Sequence, residues 1–205
     1  MIFAINEELD KTAYGKLSKI APTIVASADY PAWETPWNVQ LVTTGTALGQ
    51  QTKAKELVDQ VQQVIDKAKS DHPEFAGKVL VEDYGPENGG HWLVPGGDPR
   101  RAVFDALGFG AQTAEEDLSE EKLSEIDKDV LFVVGATKAQ MLKSKVFAGL
   151  SVVKEDRTLY TTFESTLAGA LSYSGPQALL YALDKLVPQL ANALNGRPVE
   201  DLANA

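Results

Sequence analysis

Between Asp83 and Arg101 the chain gathers residue types that can hold a ligand: Tyr84, His91, Trp92, Arg100 and Arg101, set among glycines and prolines. Guanidinium groups grip oxyanions through a planar fork of donors and lie flat on aromatic faces. A helix expected to start near Arg100, with Asp98 as its N-cap, turns its positive end toward the same place. Open α/β sheets bind ligands beyond the carboxyl ends of their strands, where turns such as these fall. Tyr84, Trp92, Arg100 and Arg101 are therefore the candidate ligand-binding residues, suited to an anion. Two adjacent arginines would equally suit an ordinary helix surface. Trp33 and Trp37 read as packing residues.

The patterns that catalysis leaves in a sequence are missing. No G-x-G-x-x-G follows an expected strand, and there is neither a P-loop nor a G-x-S-x-G elbow. With no cysteine, a disulfide framework, a thiolate nucleophile and a Cys-ligated zinc site are excluded. His72 and His91 are the only histidines, too few for a His-rich metal centre. The acidic stretch 115–125 reads as a solvated helix face. No catalytic residue, metal ligand or cofactor is assigned, and an enzyme of unrecognised type is kept only as an alternative. The formal charge of −10, from 29 acids and 19 bases, repels nucleic acid. No block of Lys or Arg suggests an anionic membrane surface.

The elements that must position the candidate residues follow from periodicity. Strands are expected over 2–5, 23–26, 78–84, 91–94, 129–135, 152–153 and 159–163. Helices are expected over 7–20, from Pro36 to an interruption or end at Gly45 or Gly49, over 51–71, 100–107 and 118–126, and from Pro176 to about Gly196. Thr113 and Glu116 resemble a capping box, and 85–90 a tight turn. Val130 to Val134 are all apolar, as in the middle of a covered sheet. The 51–71 helix, about 30 Å long, suits a strut between two lobes. The apolar start, Met1 to Ile5, is followed at once by Asn6-Glu7-Glu8, too short and acidic for a signal peptide. The fold class is α/β with a mainly parallel sheet, and the chain reads as a carrier of a small molecule rather than a catalyst.

Ordered stretches along nearly the whole chain resemble the siderophore-binding proteins of bacterial ABC iron importers. They are Lys16-Leu-Ser-Lys-Ile-Ala-Pro-Thr-Ile-Val25, Pro36-Trp37, Thr44-Gly-x-Ala-Leu-Gly49, Leu118-Ser-x-Glu-x-Leu followed by Asp129-Val-Leu-Phe-Val133, and Leu171-Ser-Tyr-Ser-Gly-Pro-Gln-Ala-Leu-Leu-Tyr-Ala-Leu-Asp-Lys-Leu186. The resemblance implies two α/β lobes bridged by one long helix. Residues 1–42 then match a remnant of the first lobe, 43–72 the bridge, and 73–205 a complete, Rossmann-like second lobe, so that the chain is expected to be truncated at its N-terminus.

The resemblance also implies a function. The protein would receive a ferric siderophore outside the cytoplasm, in the periplasm or lipid-anchored at the cell surface, and deliver it to an ABC permease. Iron would enter only as a chelate; haem or cobalamin is the alternative cargo. Family members place an Arg ahead of a helix end matching Leu107-Gly108-Phe109, which carries over to Arg100 or Arg101. A second family Arg falls where this chain reads Gly135-Ala-Thr-Lys138, leaving Lys138 as the only cation there. Relatives dock on the permease through one surface Glu per lobe, for which Glu164 is the candidate here; an ordinary exposed Glu is the competing reading.

Overall fold

A computed structural model of the chain describes residues 1–85, 90–114, 116–173, 175–203 and 205. Most of the turn expected over 85–90, and Glu115 of the acidic stretch, lie outside the described residues. The chain divides into two compact units, Met1–Gln60 and Val61–Ala205.

In the first unit β1 (Ile2–Ala4) pairs in parallel with β2 (Thr23–Val25), Phe3 opposite Ile24. The intervening helix α1 spans only Lys11–Leu17, shorter than the periodicity of 7–20 suggests. Asp10 accounts for the late start: its carboxylate accepts the Ala13 N–H at 2.7 Å, so the chain enters the helix there. Trp33, expected to pack, is 55% exposed and sits at a φ of 68°, whereas Trp37 is half-buried at the start of α2 (Trp37–Ala47). Gly45 does not end this helix. A Cβ there would overlap the Cβ of Ala54, so the missing side chain lets the next helix approach closely. Gly49, at a φ of 69°, makes the break. Helix α3 then runs unbroken over Gln51–Asp71, as its apolar stripe requires, and the boundary between the two units falls within it.

The second unit is a five-stranded sheet in the order β5-β4-β3-β6-β7. Its parallel centre is β3 (Leu80–Tyr84), β6 (Val130–Val134) and β7 (Thr158–Thr161). The antiparallel edge is β4 (His91–Leu93) and β5 (Asp117–Leu118). All five residues of β6 are buried, as expected for the middle of a covered sheet. Side chains alternate between faces. Val81, Leu93, Leu131, Val133 and Tyr160 join Leu123, Ile126, Phe147 and Val152 in one core. On the other face Phe132 meets Phe104 of α4 (Ala102–Leu107) edge to face at 5.7 Å. The remaining helices are α5 (Lys138–Met141), α6 (Lys145–Gly149), α7 (Ser151–Lys154), α8 (Thr166–Tyr173) and α9 (Pro176–Leu194). The last of these packs on β6, β7 and α8.

Three local expectations are corrected. Residues 118–126 are not one helix. Leu118 pairs with His91 in the sheet, and Glu120–Ile126 forms a 3-10 helix that buries Leu123 and Ile126, three apart, as that tighter winding demands. Val152 and Val153 are helical rather than extended, because the Asp127 carboxylate accepts the N–H groups of Ser151 and Val152 at 2.9 and 2.8 Å and starts α7. No capping box forms at Thr113: the Glu116 carbonyl instead accepts the Leu93 N–H at 2.7 Å, extending the edge pairing. Among the described residues no helix is long and apolar enough to cross a membrane.

Candidate functional site

The carboxyl end of β3 brings three of the four candidate residues together. Tyr84 and Trp92 are register partners across the β3–β4 pair, so they project from the same face, their rings edge to face at 5.7 Å. The Arg100 guanidinium lies 4.4 Å from the Trp92 ring centroid and 5.5 Å from that of Tyr84. Arg100 gets there because the chain leaves β4 through Pro95–Gly97 and re-enters helix as a 3-10 turn, Pro99–Arg101, capped by Asp98. Asp98 Oδ1 accepts both the backbone N–H and the Nε–H of Arg100 at 2.9 Å, and Oδ2 accepts from the terminal nitrogen at 2.5 Å. Burial by itself would raise the Asp98 carboxyl, but the Arg100 donors outweigh it and hold the carboxyl below the ordinary range. The same hydrogen bonds hold the Arg100 proton more firmly than usual.

Arg101 is elsewhere, and its assignment as a ligand residue is corrected. It is fully buried, donating to the carbonyls of Leu80 at 3.0 Å and Gly110 at 3.3 Å and to the Asp105 carboxylate at 3.2 Å. It ties β3 to the Val79–Gly110 bridge and has no donor face toward solvent. Lys138 is also occupied, its ammonium 2.8 Å from the Asp156 carboxylate. Glu164 is exposed, one residue after Phe163.

Sequence reasoning passed over two further features. Phe163, 39% exposed beyond the end of β7, brings its ring within 5.8 Å of Tyr84. A Cβ on Gly135, which has a φ of 92°, would overlap that ring, so the glycine after β6 makes the room. The end of β7 is pinned by the Thr161 and Thr162 hydroxyls, which donate to the carbonyls of Leu202 and Ala203 at 2.9 and 3.0 Å. The rule that ligands sit at carboxyl strand ends pointed to Phe163 as well as to Tyr84.

The second feature is Glu82, two residues before Tyr84 on the same face and fully buried. Neither carboxyl oxygen has a hydrogen-bond partner among the described residues. Burial pushes this carboxyl up to about 8, against the pull of Arg101 and then Arg100. On the opposite face Asp83 lies 2.6 Å from His91 Nδ1, both buried, and the His91 ring is parallel to that of Phe147. Burial also raises the Asp83 carboxyl, with the His91 hydrogen bond opposing it.

Beside Tyr84 and Trp92 opens a cavity of about 420 Å³, further lined by His91, Asp117, Leu118 and Ser119. That volume falls within the range of small-molecule sites, roughly 300 to 1,000 Å³. Among the described residues no cluster of three or more His, Asp or Glu side chains is placed to hold a metal ion.

The fold has known counterparts. The periplasmic binding protein family matches residues 1–164, and the chain belongs to it. It is a solute-binding protein of the periplasmic or extracytoplasmic class. A periplasmic solute binding protein from Mycobacterium smegmatis superimposes with a TM-score of 0.84 at 29% identity, over 94% of this chain and 68% of that one. PiaA, an iron uptake ABC transporter substrate-binding protein from Streptococcus pneumoniae, superimposes with a TM-score of 0.76 at 23% identity, over 95% of this chain and 71% of its own. Its complex with ferrichrome gives 0.75 at 22% identity, over 96% and 70%. No curated protein matches the chain in sequence.

Proposed function

We propose that the protein is an extracytoplasmic receptor for a ferric siderophore, which it passes to an ABC permease. The observation that carries this is the cluster of Tyr84, Trp92 and Arg100 at the carboxyl end of β3, beside a cavity of ligand size. PiaA, of the same fold, takes ferrichrome and serves an iron-uptake transporter. Tyr84 and Trp92 contact the cargo and Arg100 stiffens the aromatic wall; Phe163 extends it. Iron arrives already chelated, so the binding energy comes from the organic shell. Glu164, exposed and next in sequence to Phe163, is the docking residue for the permease. The organisation into a first-lobe segment (1–42), a bridging region (43–72) and a second lobe (73–205) belongs to the same reading.

Titration with ferric siderophores, followed by tryptophan emission, tests it. Saturable quenching is expected, most of it lost in Trp92→Phe. Absence of saturable quenching by every ferric chelate tried overturns the proposal. Glu164→Arg should leave binding unchanged while abolishing uptake in cells.

A further inference from the structure

The cluster that looked anion-seeking in sequence is electrically closed in the structure. Arg100 spends its Nε–H and one terminal N–H on Asp98, and Asp98 is held in place by the backbone N–H it caps. The flat face of the guanidinium is against Trp92. Arg101 has its donors on Leu80, Gly110 and Asp105. Lys138 is paired with Asp156. The described residues lining the cavity include the acid Asp117 and the imidazole of His91 but no Lys or Arg. Among the described residues of this cluster, what remains toward a ligand is aromatic surface with no uncompensated positive charge.

We propose that Asp98 sets the charge selectivity of the site: by neutralising Arg100 it makes the cleft accept a neutral or cationic chelate and reject a polyanionic one. This rests on the siderophore reading above and narrows it to a class. Three hydroxamates, each a monoanion, cancel the charge of ferric iron and present a neutral shell. Three catecholates, each a dianion, leave a trianion. For the trianion to gain the guanidinium, Arg100 must give up Asp98, or the trianion must sit beside the Asp98 and Asp117 carboxylates. Rejection of a competitor by an uncancelled like charge is a common source of specificity. The glutamate under the site does not reverse this balance, since a buried Glu82 adds either nothing or a further negative charge.

Isothermal titration of the protein with ferrichrome, a neutral ferric tris-hydroxamate, and with a ferric tris-catecholate tests this at one ionic strength. The hydroxamate complex is expected to bind at least about tenfold more tightly. Asp98→Asn keeps an oxygen to cap the 3-10 turn and removes the charge; it should shift the ratio of the two affinities about tenfold toward the catecholate. Raising salt on the unmodified protein should narrow the gap, which reads the same electrostatics if the variant folds poorly. Equal or tighter binding of the catecholate overturns the selectivity while leaving the siderophore reading standing. A gap that ignores both Asp98→Asn and salt also overturns it. Failure of both chelates to bind overturns the siderophore reading itself, and this inference with it.

Discussion

Replacing Glu82 by Gln should flatten the dependence of stability on pH. In the fold the Glu82 carboxyl is fully buried with no hydrogen-bond partner among the described residues, and burial carries it from 4.5 to about 8. Between those values the native protein holds a proton that the unfolded chain has released. The folded value is the raised one, so the contribution is complete below about pH 4.5 and is lost as pH rises toward 8. One proton of difference gives a slope of about 1.4 kcal/mol per pH unit, stability falling with rising pH. Across the whole interval that amounts to roughly 5 kcal/mol, a large share of the stability of an ordinary domain. Gln fills the same space and cannot ionise. Near pH 5 it should match Glu to within about 1 kcal/mol, because both are then neutral and poorly partnered. Near pH 7 the Gln variant should be the more stable by about 3 kcal/mol. Urea unfolding followed by circular dichroism at pH 5, 6, 7 and 8 measures this. Asp83 and Asp105 are also raised by burial and tilt both curves alike. The difference between the two proteins isolates Glu82. Parallel curves would refute the reasoning and mean that Glu82 is charged in the native state or finds a partner there.

Arg101→Met should cost about 2–4 kcal/mol, since it leaves the Leu80 and Gly110 carbonyls without their donor, and should leave ligand affinity unchanged in the folded fraction; chemical denaturation and calorimetric titration check the two halves. Gly135→Ala should cost about 2 kcal/mol, from its positive φ and from overlap with Phe163. Phe163→Ala in the same chain should recover the overlap but not the backbone strain, giving a coupling of about 1 kcal/mol in a double-mutant cycle of denaturation measurements.

How much of this was legible beforehand depends on how local the deciding interaction is. Helix α3 and strand β6 were readable because each buries a stripe or a run that its own residues define. Gly45 was not readable as a mid-helix residue, because the reason it stays helical is the Ala54 side chain of the next helix. The Val152–Val153 pair looks extended by propensity, and what makes it helical is Asp127, a carboxylate 25 residues upstream of Val152. Intrinsic preference yields to such contacts.

The two arginines show the same limit at the site itself. They are adjacent and chemically identical, yet Arg100 is at the aromatic cluster and Arg101 is fully buried. Successive residues of a 3-10 turn point about 120° apart, so one of two neighbours must turn away from any single target. The sequence located the turn and its cap at Asp98. What the cap also does, closing on the guanidinium two residues later, changes the chemistry from anion capture to an aromatic wall with no free charge. A cap that is also a counter-ion is therefore worth testing wherever Asp precedes Arg by two residues at a helix start, because the same carboxylate decides both the backbone geometry and the charge a ligand meets.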